Sequence, residues 1–376
     1  MIYLDYAATT PQKAYLPPAK VVWGNSSSSH DLGHQAAEIE EAARKKIADA
    51  FGAKPNQIIF TSGGTEANNL AILGFHFKAL KDMVDTHIVY SPIAHHSIIE
   101  VCDTVSLLGG STEELDVYSD GCILPEDVDA LLEEVESIKK VKRGLVVIDW
   151  VNNEIGVIQN VEKIIYYCHQ RGWFVMLDAV QAAPHLPINF EELGADFMTI
   201  SPHKFYGPKG VGALIAKDAS WLSPVIIGGT QERGMRGGTK NAYLIHQFGE
   251  SVENIFDETQ AARLFALKEK LIEYLKERGI TKFNSPEYNT VPNIINIDTG
   301  VDSATLVALL SDKGVYVSTG AACGGAFADS HVIKAINKNP STALRVSFGR
   351  ETNALDLKTF ALLLSQEINF LKGQTA

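Results

Sequence analysis

Short apolar runs alternate with amphipathic helical stretches over roughly residues 55–230. The runs predict strands at 57–62, 87–92, 145–151, 173–179, 196–201 and 211–216. Most of these runs are continuously apolar, which is typical of strands that are buried on both faces of a parallel sheet. Between two of them, the stretch VEKIIYYCHQRG predicts a helix that ends near Arg171 and Gly172. The repetition of strand, helix and strand predicts an open α/β sheet covered by helices.

The pattern changes after about residue 250. It predicts one long helix over roughly 251–278, shorter strands in NIINID, VYVST and LRVSF, and a closing helix over about 354–371. These elements favour a smaller α/β domain that packs with the N-terminal strip 1–15. We therefore predict a large domain over residues 16–250, and a small domain formed by residues 1–15 together with 251–376.

Composition and charge restrict the kind of partner. The chain is 45% hydrophobic and 21% charged, as in ordinary globular proteins. Its net charge is −12, with 33 basic against 45 acidic residues, which argues against direct nucleic-acid binding. No apolar run reaches the ~18 residues of a membrane span. The N-terminus, MIYLDYAATTP, lacks the basic and apolar stretches of a signal peptide, so we predict a cytoplasmic protein without a membrane partner.

The four cysteines differ in their surroundings. Their spacing contains no C-x-x-C pair, so neither a disulfide framework nor a metal site is predicted. Cys102 and Cys168 fit apolar helix faces, and Cys122 lies in a turn, which favours structural roles for all three. Cys323 lies in STGAACGGAFADS, a stretch of small and polar residues without hydrophobic pattern. We predict an exposed loop thiol there, and exposure of a cysteine points to reactivity.

In open α/β sheets, ligands bind beyond the carboxyl ends of the strands. In TSGGTEANN a predicted strand is followed by Gly64 and by a helix that begins near Thr65, an arrangement that suits a phosphate or is simply a tight turn. Asp178 ends the strongly apolar strand WFVMLDA, where a carboxylate needs a cationic partner unless it caps a helix. The protonated ring nitrogen of pyridoxal phosphate (PLP) is such a partner, and Gln181 can then reach the ring hydroxyl.

A third strand end carries the lysine of SPHKFYGPKG. Ser201, His203 and Lys204 follow the strand DFMTIS. A single lysine is usually a solvated surface charge, but burial lowers the pKa of an amine and makes it nucleophilic. The succession of these strand ends favours one PLP site in which Lys204 holds the cofactor as a Schiff base.

Three further residues remain ambiguous on local grounds. His95 ends another strand, where it can stack on an aromatic ring or pack in the core. Asn153 follows the strand 145–151 and suits either a ligand contact or a turn. Arg345 lies inside an apolar strand, which is explained equally by a grip on a substrate carboxylate and by an internal ion pair.

With these residues in view, the chain resembles the cysteine desulfurases of the NifS/IscS type, within the class V aminotransferase-like PLP enzymes. The motifs that carry the resemblance span nearly the whole chain and are YLDYAATTP, GNSSSSH, FTSGGTEANNLAI, VNNEIGVIQ, DAVQ, SPHKFYGPKGVGAL, GGTQERGMRGGT, STGAAC and RVSFGR. The resemblance implies an α/β fold of the fold type I PLP-dependent transferases (aspartate aminotransferase-like), with a large mainly parallel-sheet domain and a smaller α/β domain. It also implies a homodimer with the active site at the subunit interface.

The resemblance implies a role for each candidate residue. Lys204 would bond PLP, Asp178 would hold its ring nitrogen, Gln181 its ring oxygen, and His95 would stack on the ring and move protons. The phosphate would be bound by Gly64, Thr65, Ser201 and His203, joined by Thr239 of a second subunit. Asn153 would lie beside the cofactor and, with Arg345, hold the substrate carboxylate.

The implied reaction removes sulfur from L-cysteine. The Cys323 thiolate would attack the substrate sulfur, giving L-alanine and an enzyme persulfide. A sulfur-acceptor protein would then receive that sulfur, for iron–sulfur cluster assembly, tRNA thiolation or cofactor synthesis; the sequence does not say which. Selenocysteine lyase and another class V aminotransferase-type activity are the alternatives, and an aminotransferase would not need Cys323.

Overall fold

The computed structural model describes residues 1–13, 23–139, 141–253, 255–320 and 329–374. The strands are β1 (Ile2–Tyr3), β2 (Ile58–Thr61), β3 (Thr86–Tyr90), β4 (Ser111–Glu114), β5 (Arg143–Asp149), β6 (Phe174–Asp178), β7 (Phe197–Ile200), β8 (Gly212–Ala216), β9 (Ile294–Asp298), β10 (Val315–Tyr316) and β11 (Ala343–Ser347). The helices are α1 (Asp31–Ala50), α2 (Gly64–Lys81), α3 (His96–Leu107), α4 (Pro125–Ile138), α5 (Val161–Gln170), α6 (Phe190–Leu193), α7 (Ala242–Ser251), α8 (Glu258–Lys276), α9 (Ser303–Asp312), α10 (His331–Ala335) and α11 (Ala354–Gln374).

A seven-stranded sheet forms the larger layer, in the order β2-β8-β7-β6-β5-β3-β4. The pairs from β7 to β4 are parallel, whereas β8 runs antiparallel to both of its neighbours. The predicted fold class, α/β with a mainly parallel sheet, is confirmed. All six predicted strands of this region are present, but β4 was not predicted because its sequence, Ser-Thr-Glu-Glu, contains no apolar residue.

Both faces of this sheet are buried. Val146 and Ile148 of β5 pack into one hydrophobic cluster, together with side chains of α1, α4 and α5. Leu145 and Val147 of the same strand pack into a second cluster on the opposite face, together with side chains of α2 and α3. Successive side chains of a strand point to opposite faces. The continuously apolar runs are therefore explained by helices that cover the sheet on both sides.

A separate hydrophobic cluster surrounds two small sheets. It joins Leu4 to side chains of α8, α9 and α11. Here β1 pairs with β10 in parallel, and β9 pairs with β11 antiparallel. The long helix expected over roughly 251–278 is present as α8, but it begins later, at Glu258 after Asp257, and α7 ends at Ser251. Asp257 accepts hydrogen bonds from two backbone amides of the next turn and so caps a new helix. The predicted domain boundaries stay a prediction.

The chain that follows β1 connects the two layers. Ala7 donates its backbone N–H to Ser347 Oγ, and Thr10 donates its hydroxyl to the backbone oxygen of His203. Residues 4–13 therefore run between the small sheets and the carboxyl end of β7. Within the part of the chain that the structure describes, no helix is both long and apolar enough to cross a membrane.

Candidate active site

A cavity of about 320 Å³ opens at the carboxyl ends of the parallel strands. Most of the predicted site residues line it: Gly64, Thr65, His95, Asn153, Asp178, Gln181, Ser201, His203, Lys204 and Arg345. Residues that are far apart in sequence meet there because each follows the end of a strand or begins a helix at the same edge of the sheet.

Two predicted residues are not among those that line the cavity. Thr239 is exposed between β8 and α7, and it does not line the cavity of its own chain. Cys323 lies outside the described residues. Gly320, the last described residue before it, does line the cavity.

Asp178 is held by two donors. Its Oδ2 accepts from Asn68 Nδ2 at 2.9 Å, and its Oδ1 accepts from the backbone N–H of Val180 at 2.9 Å. Asp178 therefore forms a local turn with Val180 and does not cap a helix of the structure. The side chain is buried, and a buried carboxylate supported in this way suits a cationic ligand group.

Lys204 closes a short 3-10 turn, Pro202–Lys204, directly after β7. Its Nζ donates to the backbone oxygens of Ala7 and Ala8 at 2.7 and 2.9 Å. The lysine is therefore held at the cavity by the N-terminal segment and is not a solvated surface charge. Gln181 Nε2 donates to the same Ala7 oxygen at 2.8 Å, so both side chains converge on one backbone group.

Both cavity histidines have lowered pKa values. Burial lowers the pKa of His95; the Asp178 carboxylate opposes this shift, and the Lys204 ammonium adds to it. Burial, helped by the charges of Lys204 and Lys209, lowers the pKa of His203 to about 3. Neutral imidazoles accept protons, so His95 is suited to proton transfer at neutral pH. The Ser97 hydroxyl, 2.8 Å from His95 Nδ1, orients its ring.

Arg345 is fully inside the protein and reaches the cavity from β11. Its Nη2 donates to Asp5 Oδ1 at 2.7 Å, and its Nη1 donates to the backbone oxygen of Asn153 at 3.1 Å. The internal ion pair that the sequence allowed is therefore present. It holds the guanidinium beside Asn153, where the two can receive a carboxylate together.

The phosphate site predicted from the sequence falls at the start of α2. Gly64 is the first residue of this helix, and a β-carbon there would lie 3.1 Å from Val180 Cγ2. The absence of a side chain lets a ligand approach the backbone N–H groups of the first turn, which favour an anion. Glu66 in that turn is paired with Arg236 at 2.9 Å, which offsets its negative charge.

Sequence reasoning missed three polar residues of the cavity, Asn68, Ser97 and Asp149. Asn68 lies one helical turn after Thr65 and contacts Asp178, a spacing that the sequence does contain. Asp149 ends β5 as Asp178 ends β6, but the predicted strand ran on to residue 151. The structural roles expected for Cys102 and Cys168 agree with their burial in α3 and α5, and burial raises the pKa of both thiols.

The residues that line the cavity fit PLP. They provide an amine at Lys204, an acceptor for a ring nitrogen at Asp178 and an anion site at the start of α2. Three residues that line the cavity each have a buried polar atom without a hydrogen-bond partner within the described ranges: Asn68 Oδ1, Asp149 Oδ1 and Arg345 Nε. Buried polar groups without a partner are costly in free energy, so these atoms suit a polar ligand.

Comparisons with known proteins agree with this site. The family model Aminotransferase class-V matches residues 2–360. "Cysteine desulfurase IscS" of Dictyoglomus turgidum is 38% identical, over 99% of this chain and 95% of its own. "Cysteine desulfurase IscS" of Serratia proteamaculans is 36% identical, over 99% and 93%. The solved structure "NIFS-LIKE PROTEIN" has a TM-score of 0.85 at 28% identity, covering 98% of this chain and 100% of that one. "SspA in complex with cysteine" has a TM-score of 0.77 at 31% identity, covering 93% and 99%.

With a matching family model over nearly its whole length, the chain belongs to the class V aminotransferases, which are PLP-dependent enzymes. Within that family it is a cysteine desulfurase of the NifS/IscS type.

Proposed function

We propose that this chain takes sulfur from L-cysteine, stores it as a persulfide on Cys323 and passes it to an acceptor protein. The observation that carries the proposal is the position of Gly320, which lines the same cavity as Lys204 and Asp178. In the sequence, Cys323 follows Gly320 by only three residues.

The chain's own residues supply binding and proton transfer. Lys204 would form the covalent link to PLP, Asp178 would hold the ring nitrogen, and Gln181 would hold the ring oxygen. The start of α2, at Gly64 and Thr65, would bind the phosphate with Ser201 and His203. PLP, when bound, supplies an electron sink for the α-carbon of an amino acid.

The remaining side chains act on the substrate. Asn153 and Arg345 would hold its carboxylate, and His95 and the Lys204 amine would move protons at its α-carbon. The Cys323 thiolate would attack the substrate sulfur, so that the carbon–sulfur bond breaks as a sulfur–sulfur bond forms. Alanine leaves and the persulfide stays on the enzyme, which balances the sulfur and electron count.

A homodimer is part of the same proposal. The site on one chain leaves an open face beside Gly63, Thr65 and Lys209. Thr239 is exposed and does not line the cavity of its own chain, and it would complete the phosphate site of a second copy. Mixing a Thr239→Val subunit with a Lys204→Ala subunit tests this, because one of the two shared sites in the mixed dimer would be intact. Neither parent enzyme alone would retain full activity.

The test of the reaction replaces Cys323 by serine. We expect Cys323→Ser to bind PLP as the wild type does, with the same visible absorbance, and to lose alanine production from cysteine. Cys122→Ser is the matched control, because burial raises the pKa of the Cys122 thiol to about 11 and keeps it unreactive at neutral pH.

Alanine formation that survives in Cys323→Ser would contradict the proposal and favour a transaminase-type activity. Turnover of selenocysteine but not of cysteine by the wild type would favour a selenocysteine lyase. The acceptor is identified by incubating the enzyme with labelled cysteine and following the label into candidate proteins. The cytoplasmic location stays a prediction.

A further inference from the structure

A second carboxyl group, Asp149, stands beside Asp178 at the edge of the sheet. Asp149 is the last residue of β5, and it is the register partner of Asp178, the last residue of β6. In-register residues of neighbouring parallel strands point to the same face of a sheet. Both side chains line the cavity, so the cofactor site contains a pair of adjacent carboxyl groups.

The two carboxyl groups are supported unequally. Asp178 receives hydrogen bonds at both oxygens, each at 2.9 Å. Asp149 Oδ2 accepts a longer bond from Asn152 Nδ2 at 3.2 Å. Asp149 Oδ1 is buried and has no hydrogen-bond partner among the described residues. Asp149 is only 5% exposed. Asp178 is therefore the better stabilised anion of the pair.

The surroundings of Asp149 favour the neutral form of its carboxyl group. Burial raises the pKa of Asp149 to about 7; the Ser91 and Asn152 side chains oppose this rise, and the Asp178 charge adds to it. The other titratable or charged groups that face the cavity are His95, before α3, His203 and Lys204, after β7, and Arg345 on β11.

We propose that Asp149 and Asp178 form a carboxyl pair for the cationic ring nitrogen of PLP, an inference that rests on the cofactor placement proposed above. Asp178 makes the contact with the ring. Asp149 is a positioning residue that adds a second negative charge beside Asp178. A bound cation favours the ionised form of Asp149, whose proton leaves to solvent when the cofactor binds. The affinity of the protein for PLP therefore increases with pH through the range in which Asp149 titrates.

The experiment measures PLP binding by the apoenzyme through quenching of tryptophan fluorescence, between about pH 6 and about pH 8. The variants are Asp149→Asn, which keeps the shape and removes the titration, and Asp218→Asn as a control. Asp218 undergoes the same chemical change but only caps the short helix 219–221, away from the cavity. The titrations of Lys204, the histidines and PLP itself are common to all three proteins, so the comparison isolates Asp149.

We expect the wild type to gain up to about tenfold in affinity over this range relative to Asp149→Asn, because a pKa shift of one unit on binding corresponds to about tenfold. Asp218→Asn follows the wild type. If the affinity for PLP changed with pH equally in Asp149→Asn and in the wild type, the proposal would be overturned. If Asp149→Asn does not fold, Asp149→Leu, which lacks both the charge and the amide, replaces it. We expect the same difference from the wild type.

A second readout needs no cofactor. A carboxyl whose pKa is raised on folding holds its proton in the folded state after the unfolded chain has lost it, so stability falls as pH rises between about 4 and about 7. Wild-type apoenzyme should therefore lose stability over this range relative to Asp149→Asn in urea unfolding. If the free energy of unfolding changed with pH in the same way in the wild type and in Asp149→Asn, the inference would be contradicted. Failure of the cofactor placement itself gives a different result, since Lys204→Ala would then bind PLP with the wild-type absorbance.

Discussion

Asn68 donates its side-chain amide to Asp178 Oδ2 at 2.9 Å, and so connects the first turns of α2 to the end of β6. The same Nδ2 lies 2.9 Å from Ser97 Oγ, and Ser97 lies against His95. One amide thus supports both the residue that would hold the ring nitrogen and the residue that would stack on the ring. The residues proposed for the phosphate and those proposed for the ring are therefore connected through the start of α2.

Replacing Asn68 by alanine should weaken the binding of PLP. The change removes one of the two donors to Asp178, and a hydrogen bond to a charged group contributes about 1.5–3 kcal/mol. We expect a loss of roughly tenfold or more in affinity, measured by titration of the apoenzyme. Asn69→Ala is the matched control, because the neighbouring amide donates only to the backbone oxygen of Thr65. Equal losses in the two variants would contradict the role given to Asn68.

Replacing Gly320 by alanine should destabilise the protein at a position three residues before Cys323 in the sequence. Gly320 has φ of +95°, and a β-carbon would lie 2.5 Å from Glu154 Oε2. That oxygen accepts a hydrogen bond from Ser330 Oγ at 2.6 Å, so the displacement would disturb chain on both sides of residues 321–328. We expect a loss of about 1–3 kcal/mol in urea unfolding and a clear fall in alanine formation.

The control for this change is Gly172→Ala. Gly172 also has a positive φ, +74°, but nothing lies within 4 Å of the added β-carbon. Gly172→Ala should therefore lose only the stability that the positive φ costs, and it should keep its alanine formation. If both variants lost activity to the same extent, the contact with Glu154 would not be the cause.

Glu232→Gln should strongly destabilise the loop that carries Thr239. Glu232 is buried and has a left-handed backbone, with φ of 46°. Its carboxylate accepts from Arg44 Nη1 and Nη2 at 2.9 and 2.8 Å. Breaking a buried pair by removing one partner costs about 3–5 kcal/mol, measured as the free energy of unfolding. Glu41→Gln removes an exposed partner of the same arginine and should cost less than about 1 kcal/mol.

Arg345→Lys should raise the KM for cysteine. The guanidinium contacts Asp5 and the Asn153 backbone oxygen at the same time, and lysine cannot make both contacts in that geometry. We expect an increase of roughly tenfold or more in KM, since bidentate recognition of a carboxylate is lost. Steady-state kinetics measure it, with Arg278→Lys, outside the cavity, as the control. An unchanged KM would show that Arg345 serves only the ion pair with Asp5.

Much of this site could be predicted from the sequence because a buried strand ends where its run of apolar residues ends. Asp178 and Lys204 each follow a buried apolar run, and the sheet brings such positions to one edge. The run before Asp149 does not end there in the sequence, since Trp150 and Val151 are also apolar and buried. The strand therefore seemed to extend past Asp149, and its pairing with Asp178 stayed hidden.

Other features depend on tertiary contacts that leave no pattern. The polar strand β4 exists because its backbone pairs with β3 at the sheet edge, where side-chain burial is not required. The antiparallel direction of β8 is set by its connections, and an apolar run does not reveal strand direction. The start of α8, later than the sequence pattern predicted, is set by the cap at Asp257.

The most direct measurement of the central claim is peptide mapping by mass spectrometry after the holoenzyme reacts with one equivalent of L-cysteine. The peptide that contains Cys323 should gain the mass of one sulfur atom while one equivalent of alanine forms. Lys204→Ala, treated identically, should show neither change. Alanine formation without added sulfur on Cys323, or added sulfur that also occurs in Lys204→Ala, would contradict the account.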